Sequence, residues 1–447
     1  MNLRLLGIGC LLLLGAVLSS CRDIRGVTYS ARTGPPARPG TTQLPSLGLD
    51  VHDHIESVDF AVEGDSALHL VWRVRFGDEV GILAKRQIWY RRGDLKNKLW
   101  SKPHLFLSGN PGEPRILSLG GALHVIVSDS LRHFFSSDEG ATWEEESPLL
   151  PQHLGIAQSI DVASDSASLY VAYVASDSSR DRLLSMPPRS VWVTRWTEGE
   201  KTSTAYLQSI GEKEPWAKPT LRLGDDGMDL FYTANELVRL SKTNANVTGW
   251  LFHSSSGDRA KTWMHPDSSG YPGGIFEFEA AIAGNERSVF LERQGLRRAR
   301  WQGRGWSSSD WVAQVKDHPL SGYQRVSSIN AATRGGKGQL VWIDARYQRT
   351  DQTLLNPLTW IPWVSEPDWE NNDVLAAPFS KVIRDRTIAA TLEPTRLTND
   401  LSYAEFVRAR AMSDRVYVVW SGRSMVGKSI ESANQSPEIF YTTLPLE

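Results

Sequence analysis

Hydrophobic positions along the 447-residue chain gather in short bursts rather than in helical stripes. A run of about five β-branched or aromatic residues, often ending in an aromatic, occurs as Leu68-His69-Leu70-Val71-Trp72, Leu123-His124-Val125-Ile126-Val127 and Leu169-Tyr170-Val171-Ala172-Tyr173. Weaker copies stand at Leu230-Phe231-Tyr232 and Val289-Phe290-Leu291, and the last two are Leu340-Val341-Trp342 and Val416-Tyr417-Val418-Val419-Trp420. The seven bursts lie about 46 to 76 residues apart. Each follows a turn cluster of Gly, Asp, Asn or Ser, as in Gly120-Gly121, Gly224-Asp225-Asp226-Gly227 and Gly335-Gly336-Lys337-Gly338. Long amphipathic helical patterns are scarce. Short strands punctuated by turns at a regular period mark a repeat architecture. A period near 50, with about four strands in each, predicts an all-β chain folded as a β-propeller of four-stranded blades. The blades number six or seven, and seven by the count of bursts.

A second repeat is superimposed on the first. Ser136-Ser137-Asp138-Glu139-Gly140-Ala141-Thr142-Trp143 follows the strand His133-Phe134-Phe135, and Ser256-Gly257-Asp258-Arg259-Ala260-Lys261-Thr262-Trp263 follows Trp250-Leu251-Phe252-His253. The two Asp are 120 residues apart, two blade periods. A worn copy stands at Gly93-Asp94 with Trp100 following. The octapeptides resemble the Asp box of sialidase-type (BNR) β-propellers. The resemblance implies structural roles for Ser136, Asp138, Gly140, Thr142 and Trp143, and for Ser256, Asp258, Thr262 and Trp263. Physically, the Asp carboxylate accepts turn N–H groups, Gly takes positive φ and Trp packs between strands. The second copy carries Ala260 in place of Gly, which predicts strain. Sialidases of this type have six blades, against seven bursts here. The segment Asn356 to Asp385, rich in Trp, Pro and Asn, reads as an insertion, and the last strand, Glu438 to Thr443, lacks a following partner. A segment near Gln43 to Asp50 is expected to supply it and close the ring.

The N-terminus carries an address. Arg4 precedes an apolar run, Leu5 to Leu18, that ends Leu18-Ser19-Ser20-Cys21. A short apolar run closed by small residues predicts a secretory signal over residues 1–20. The tetrapeptide resembles a bacterial lipobox, which implies lipidation at Cys21, a membrane partner through that anchor and an exported, outer-membrane lipoprotein. Residues 21–47, rich in Pro and Gly, read as a tether, and residues 48–447 as the propeller. Cys10 lies inside the signal, so the mature chain has no possible disulfide.

Composition narrows the function classes. Hydrophobic residues make up 40% and charged residues 22%, ordinary for a globular chain, while 17 Trp against 6 Met fit a strand-built fold. A net charge of −2 argues against a general nucleic-acid binder. Gly422-Arg423-Ser424-Met425-Val426-Gly427-Lys428-Ser429 matches the P-loop expression but lacks a following helix, so no nucleotide partner is expected. His52 and His54 lack a third ligand nearby, and neither metal nor cofactor is expected.

If the Asp-box turns occupy one face of the propeller, functional residues belong on the opposite face, after each second strand and at the start of each first strand. Candidate ligand-binding residues there are Arg73, Arg75, Arg115, Arg325, Arg346 and Arg423, beside Asp129, Glu113, Glu277 and Tyr323. Several arginines beside carboxylates suit an anionic sugar, because guanidinium grips carboxylate bidentately. The sialidase resemblance would imply an Arg triad, a Tyr–Glu pair and an Asp acid/base, for which Tyr403, Glu405 and Asp344 are available. The early Arg-Ile-Pro motif is missing, the nearest triplet being Arg115-Ile116-Leu117. Three readings follow: a surface-tethered propeller binding a glycan or protein ligand on its open face, a sialidase-type glycoside hydrolase, or an envelope assembly scaffold. The last predicts a broad aromatic patch, for which Trp360, Trp363 and Trp369 are candidates.

Overall fold

The computed structural model describes residues 38–64, 66–77, 79, 84–177, 189–200, 202–211, 218–224, 227–239, 245–268, 277–283, 286–292, 296–303, 305–307, 310–313, 326–344, 373–384, 394–398, 402–424 and 436–447. Among the described residues, seven antiparallel sheets of four principal strands follow one another along the chain. Each of the seven hydrophobic bursts is the second strand of one sheet: Ala67–Phe76, Ala122–Val127, Ser168–Asp177, Gly227–Arg239, Glu286–Glu292, Lys337–Asp344 and Arg415–Ser424. The first strands are His54–Glu63, Pro114–Leu119, Leu154–Ser164, Pro219–Gly224, Phe278–Ala283, Ser327–Arg334 and Ser402–Ala411. Each first strand touches the first strand of the next sheet, and the seventh touches the first. The sheets are therefore the blades of a seven-bladed β-propeller, with the first strands around the axis.

Packing explains why the bursts are continuous rather than alternating. In blade 3, Leu169, Val171 and Tyr173 join a core with Leu117 and Ile126 of blade 2. The intervening Tyr170, Ala172 and Val174 join another with Leu221, Leu230 and Tyr232 of blade 4. A strand buried on both faces must be apolar at every position. Blade 1 repeats the device: Leu68, Leu70 and Trp72 pack against Tyr417 and Val419 of blade 7, and Val71 packs toward Ile116 and Val125 of blade 2.

The ring closes through the N-terminal segment. Thr42 and Gln43 pair with Tyr441 and Phe440 on the last strand, Glu438–Pro445, and complete blade 7. Leu44, fully buried, follows with its N–H on the Ile439 carbonyl. The closing strand thus lies just before most of the expected segment, which continues to Asp50 without strand pairing. The expected insertion Asn356–Asp385 is corrected in part. Asp373–Pro378 is the third strand of blade 6 and Phe379–Arg384 a helical turn packed on it, whereas residues 356–372 lie outside the described residues. Small residues hide this strand in the sequence: Val374, Leu375, Ala376 and Ala377 form a brief apolar run without an aromatic end.

The two octapeptides form the same turn, between the third and fourth strands of blades 2 and 4. Thr142 donates its N–H to Asp138 Oδ1 (2.9 Å) and its hydroxyl to Oδ2 (2.6 Å), and Ser136 Oγ donates to Oδ1 (2.8 Å). In blade 4 the same bonds run from Thr262 and Ser256 to Asp258 at 2.8, 2.6 and 2.9 Å. These donors, Thr first, pull both carboxyls down to about 2. The anticipated backbone strain is present: Ala260 has φ +65° where Gly140 has +84°. Blade 1 builds a related turn, in which Asp94 caps the N–H groups of Lys96 and Asn97 and Trp100 lies against Gly93.

Candidate functional site at the open face and channel

With the octapeptide turns on one face, the ends of the second strands and the starts of the first strands open on the other. On blade 1 this rim carries three guanidinium groups around one carboxylate. Arg73 Nε lies 3.1 Å and Arg86 Nε 2.8 Å from Glu56 Oε2, and Arg75 Nε lies 3.3 Å from Oε1. All four side chains are half-buried, between 13% and 20% exposed, and the group carries an excess of two positive charges. Arg75 also donates to the carbonyls of Gly77 and Glu79. Arg86 was not among the sequence candidates. It is the register partner of Arg75 on the third strand, Lys85–Asp94, a relation visible only once that hairpin is aligned.

Further around the mouth, Arg115 Nη2 pairs with Glu113 Oε2 at 3.1 Å, and Lys218 Nζ with Glu277 Oε2 at 3.0 Å. Burial would raise the Glu113 carboxyl, but Arg115, Arg73, Arg408 and Lys218 together hold it below its ordinary value. Arg423 is nearly buried; it donates to the backbone carbonyls of Val51 and Asp53 and sits 3.4 Å from Glu405 Oε1. Asp344 has no exposed surface and accepts the Trp342 indole N–H at 3.2 Å. Asp129, at φ +78°, caps the N–H groups of Gly112 and Ser130 and bridges blade 2 to Ala157 of blade 3. Tyr403 lies opposite Arg423 in the first-to-second strand register. Cys21, Tyr323, Arg325, Arg346, Trp360, Trp363 and Trp369 lie outside the described residues; of the predicted arginines that are described, Arg73 and Arg75 gather on Glu56, whereas Arg115 pairs with Glu113 and Arg423 with Glu405. Among the described residues no group of His, Cys, Asp and Glu is arranged to hold a metal.

Below the mouth the first strands enclose a cavity of about 340 Å³. Each first strand contributes to its lining the residue paired with the penultimate residue of the burst. Asp59 pairs with Val71, Arg115 with Ile126, and Asp161 with Ala172. Thr220, Glu279, Asn330 and Arg408 occupy the same place opposite Phe231, Phe290, Val341 and Val419. All seven line the cavity, and all seven are polar. Sequence reading missed this ring apart from Arg115, although its position is recoverable by counting back from each burst through the turn.

Most of the ring is committed to holding blades together. Asp59 accepts Ile116 N–H of blade 2 at 2.9 Å and Arg410 Nη2 of blade 7 at 3.0 Å. Asp161 accepts Leu221 N–H of blade 4 at 2.8 Å and Arg222 Nη1 at 3.0 Å, and Arg222 reaches Glu279 of blade 5 as well. Asn330 donates to the Val407 carbonyl of blade 7 at 2.9 Å. Burial opposes the charge on Asp59, yet Arg410, Arg115 and Arg408 outweigh it and keep its carboxyl below the usual range.

No protein-family model and no curated protein matches the sequence. Among solved structures the chain is similar to Trypanosoma rangeli sialidase in complex with sialic acid, at 10% identity and TM-score 0.41, over 92% of this chain and 58% of that one. It is also similar to a glycoside hydrolase, at 12% identity and TM-score 0.39, over 91% and 92% of the two chains. A third is a glycosyl hydrolase from Bacteroides ovatus, at 10% identity and TM-score 0.33, over 59% and 91%. The chain thus spans less than two thirds of the length of the trypanosomal sialidase.

Proposed function

We propose that this seven-bladed propeller is a surface-tethered binding protein that takes an anionic glycan, or an acidic segment of a protein, on its open face. The observation that carries the reading is the convergence of Arg73, Arg75 and Arg86 on the single carboxylate of Glu56. Two guanidinium charges beyond what Glu56 neutralises, held on rigid strands and partly exposed, favour a ligand carboxylate or sulfate by charge-assisted, bidentate hydrogen bonds. The Asp-box resemblance of the two turns adds the glycan side of the proposal. Tethering rests on the Leu18-Ser19-Ser20-Cys21 tetrapeptide, with lipidation at Cys21 and export to the envelope.

The hydrolase reading draws on Tyr403, Glu405 and Asp344. It is the weaker, because Asp344 is enclosed beneath Trp342 and cannot reach a glycosidic oxygen without rearrangement. Binding to a glycan array, with Arg75→Glu and Arg86→Glu beside the wild type, tests the proposal. Charge reversal is expected to abolish retention of acidic glycans and to leave neutral ones unaffected; retention that ignores these changes refutes it. A fluorogenic sialoside in the same samples tests hydrolysis, and turnover by the wild type would replace binding with catalysis as the conclusion.

A further inference from the structure

The seven-membered polar ring contains one charge that the fold leaves unanswered. Arg408 lines the cavity and makes no hydrogen bond or ion pair among the described residues. The carboxylates that could have answered it are engaged elsewhere. Asp59 is held by Arg410 and the Ile116 N–H, Asp161 and Glu279 share Arg222, and Glu113 is paired with Arg115. Around the ring Arg408 of blade 7 and Arg115 of blade 2 flank Asp59 of blade 1. Two guanidinium groups therefore face one enclosed space across a carboxylate already satisfied. Burial, reinforced by the positive charge of Arg115, lowers the Arg408 pKa against the pull of Asp59, Glu113 and Asp161. Arg408 is partly exposed to the channel, and a cation lining a cavity without an ion-pair partner is open to a counter-charge from solution.

We infer that the waist of the channel is a binding site for a small oxyanion, held between Arg408 and Arg115. The cavity, about 340 Å³, exceeds the roughly 30 Å³ of a single water several-fold and accommodates a phosphate-sized ion with part of its hydration. Thr220 of the same ring adds a hydroxyl at that level, able to donate to an oxygen that the guanidinium groups leave free. The site lies at the middle of the first strands and uses none of Glu56, Arg73, Arg75 and Arg86, so it stands apart from the open-face proposal.

The test is isothermal titration of the protein with inorganic phosphate, sulfate and acetate in low-salt buffer, on wild type, Arg408→Gln, Arg115→Gln and Arg132→Gln, the last breaking only the ion pair with Glu145 on the outer strands of blade 2. At least one of the three anions is expected to bind the wild type at a site that Arg408→Gln weakens, and which one saturates it separates tetrahedral oxyanions from carboxylates. Its Kd is expected to weaken about tenfold or more in Arg408→Gln and in Arg115→Gln, and to stay within about twofold in Arg132→Gln. Thermal unfolding without anion supplies the second readout. Because Arg408→Gln removes an unanswered charge, its Tm is expected to equal or exceed that of the wild type. Absence of binding by all three anions, equal binding by Arg408→Gln, or loss of binding in Arg132→Gln overturns the inference. So does a Tm lowered by more than about 3 °C in Arg408→Gln, which would make that side chain a structural strut.

Discussion

The two octapeptide turns provide an internal experiment on backbone strain. Gly140 and Ala260 hold the same place with φ +84° and +65°, and each N–H donates to the turn serine at 2.8 Å. Their surroundings differ. A Cβ on Gly140 would lie 1.9 Å from Tyr90 Oη and 2.4 Å from its Cζ. Ala260 shares a core instead with Val193, which pairs with Ala172 just as Tyr90 pairs with Val71. Gly140→Ala should therefore cost about 1–2 kcal/mol for a left-handed alanine. Displacing Tyr90 adds about 1 kcal/mol for each of its hydrogen bonds, to His69 Nδ1 at 2.7 Å and to the Glu139 carbonyl at 3.2 Å. Overpacking adds about 1 kcal/mol more, for a total of about 4–5 kcal/mol. Tyr90→Val, which installs the blade 3 pairing, should itself be destabilising by about 3 kcal/mol. In that background Gly140→Ala should cost only the 1–2 kcal/mol of the backbone. Urea unfolding of the two single variants and the double variant measures the coupling, expected to be about 2–3 kcal/mol with an unchanged m-value. Additivity within about 0.5 kcal/mol would refute the account, since the Tyr90 ring would then not be what excludes a side chain at position 140.

Two further predictions follow from burial and closure. Burial pushes His69 down to about 4 and His133 down to about 3, so both are neutral in the fold and bind protons more readily once unfolded. Their stabilising contribution is full above pH 6.5 and is lost as pH falls toward 4, by about 3 kcal/mol for His69. His69→Gln should flatten that part of the stability profile, and an unchanged slope would count against the assignment. Deleting residues through Leu47 removes the Thr42–Gln43 pairing and the buried Leu44 from blade 7. The loss should be about 3–5 kcal/mol, with an open sheet edge that promotes self-association, read as a lower Tm and larger species in size-exclusion chromatography.

Much of the blade pattern was legible in the amino-acid sequence because it is local. A second strand such as Leu169–Tyr173 is buried on both faces and must read as an apolar burst, and a turn such as Ser136–Trp143 closes its hydrogen bonds within eight residues. Seven bursts therefore counted seven blades, and the partnerless Glu438–Pro445 strand called for an N-terminal one. The third strand of blade 6, Asp373–Pro378, escaped because alanines carry little strand signal. The candidate site residues needed the tertiary structure for a different reason. Arg75 meets Arg86 only through the register of a hairpin, and Arg408 faces Arg115 across nearly 300 residues only when the seventh blade closes on the first. Residue type determines which side chains can carry charge. Ring closure decides which of those charges meet a partner and which line the channel.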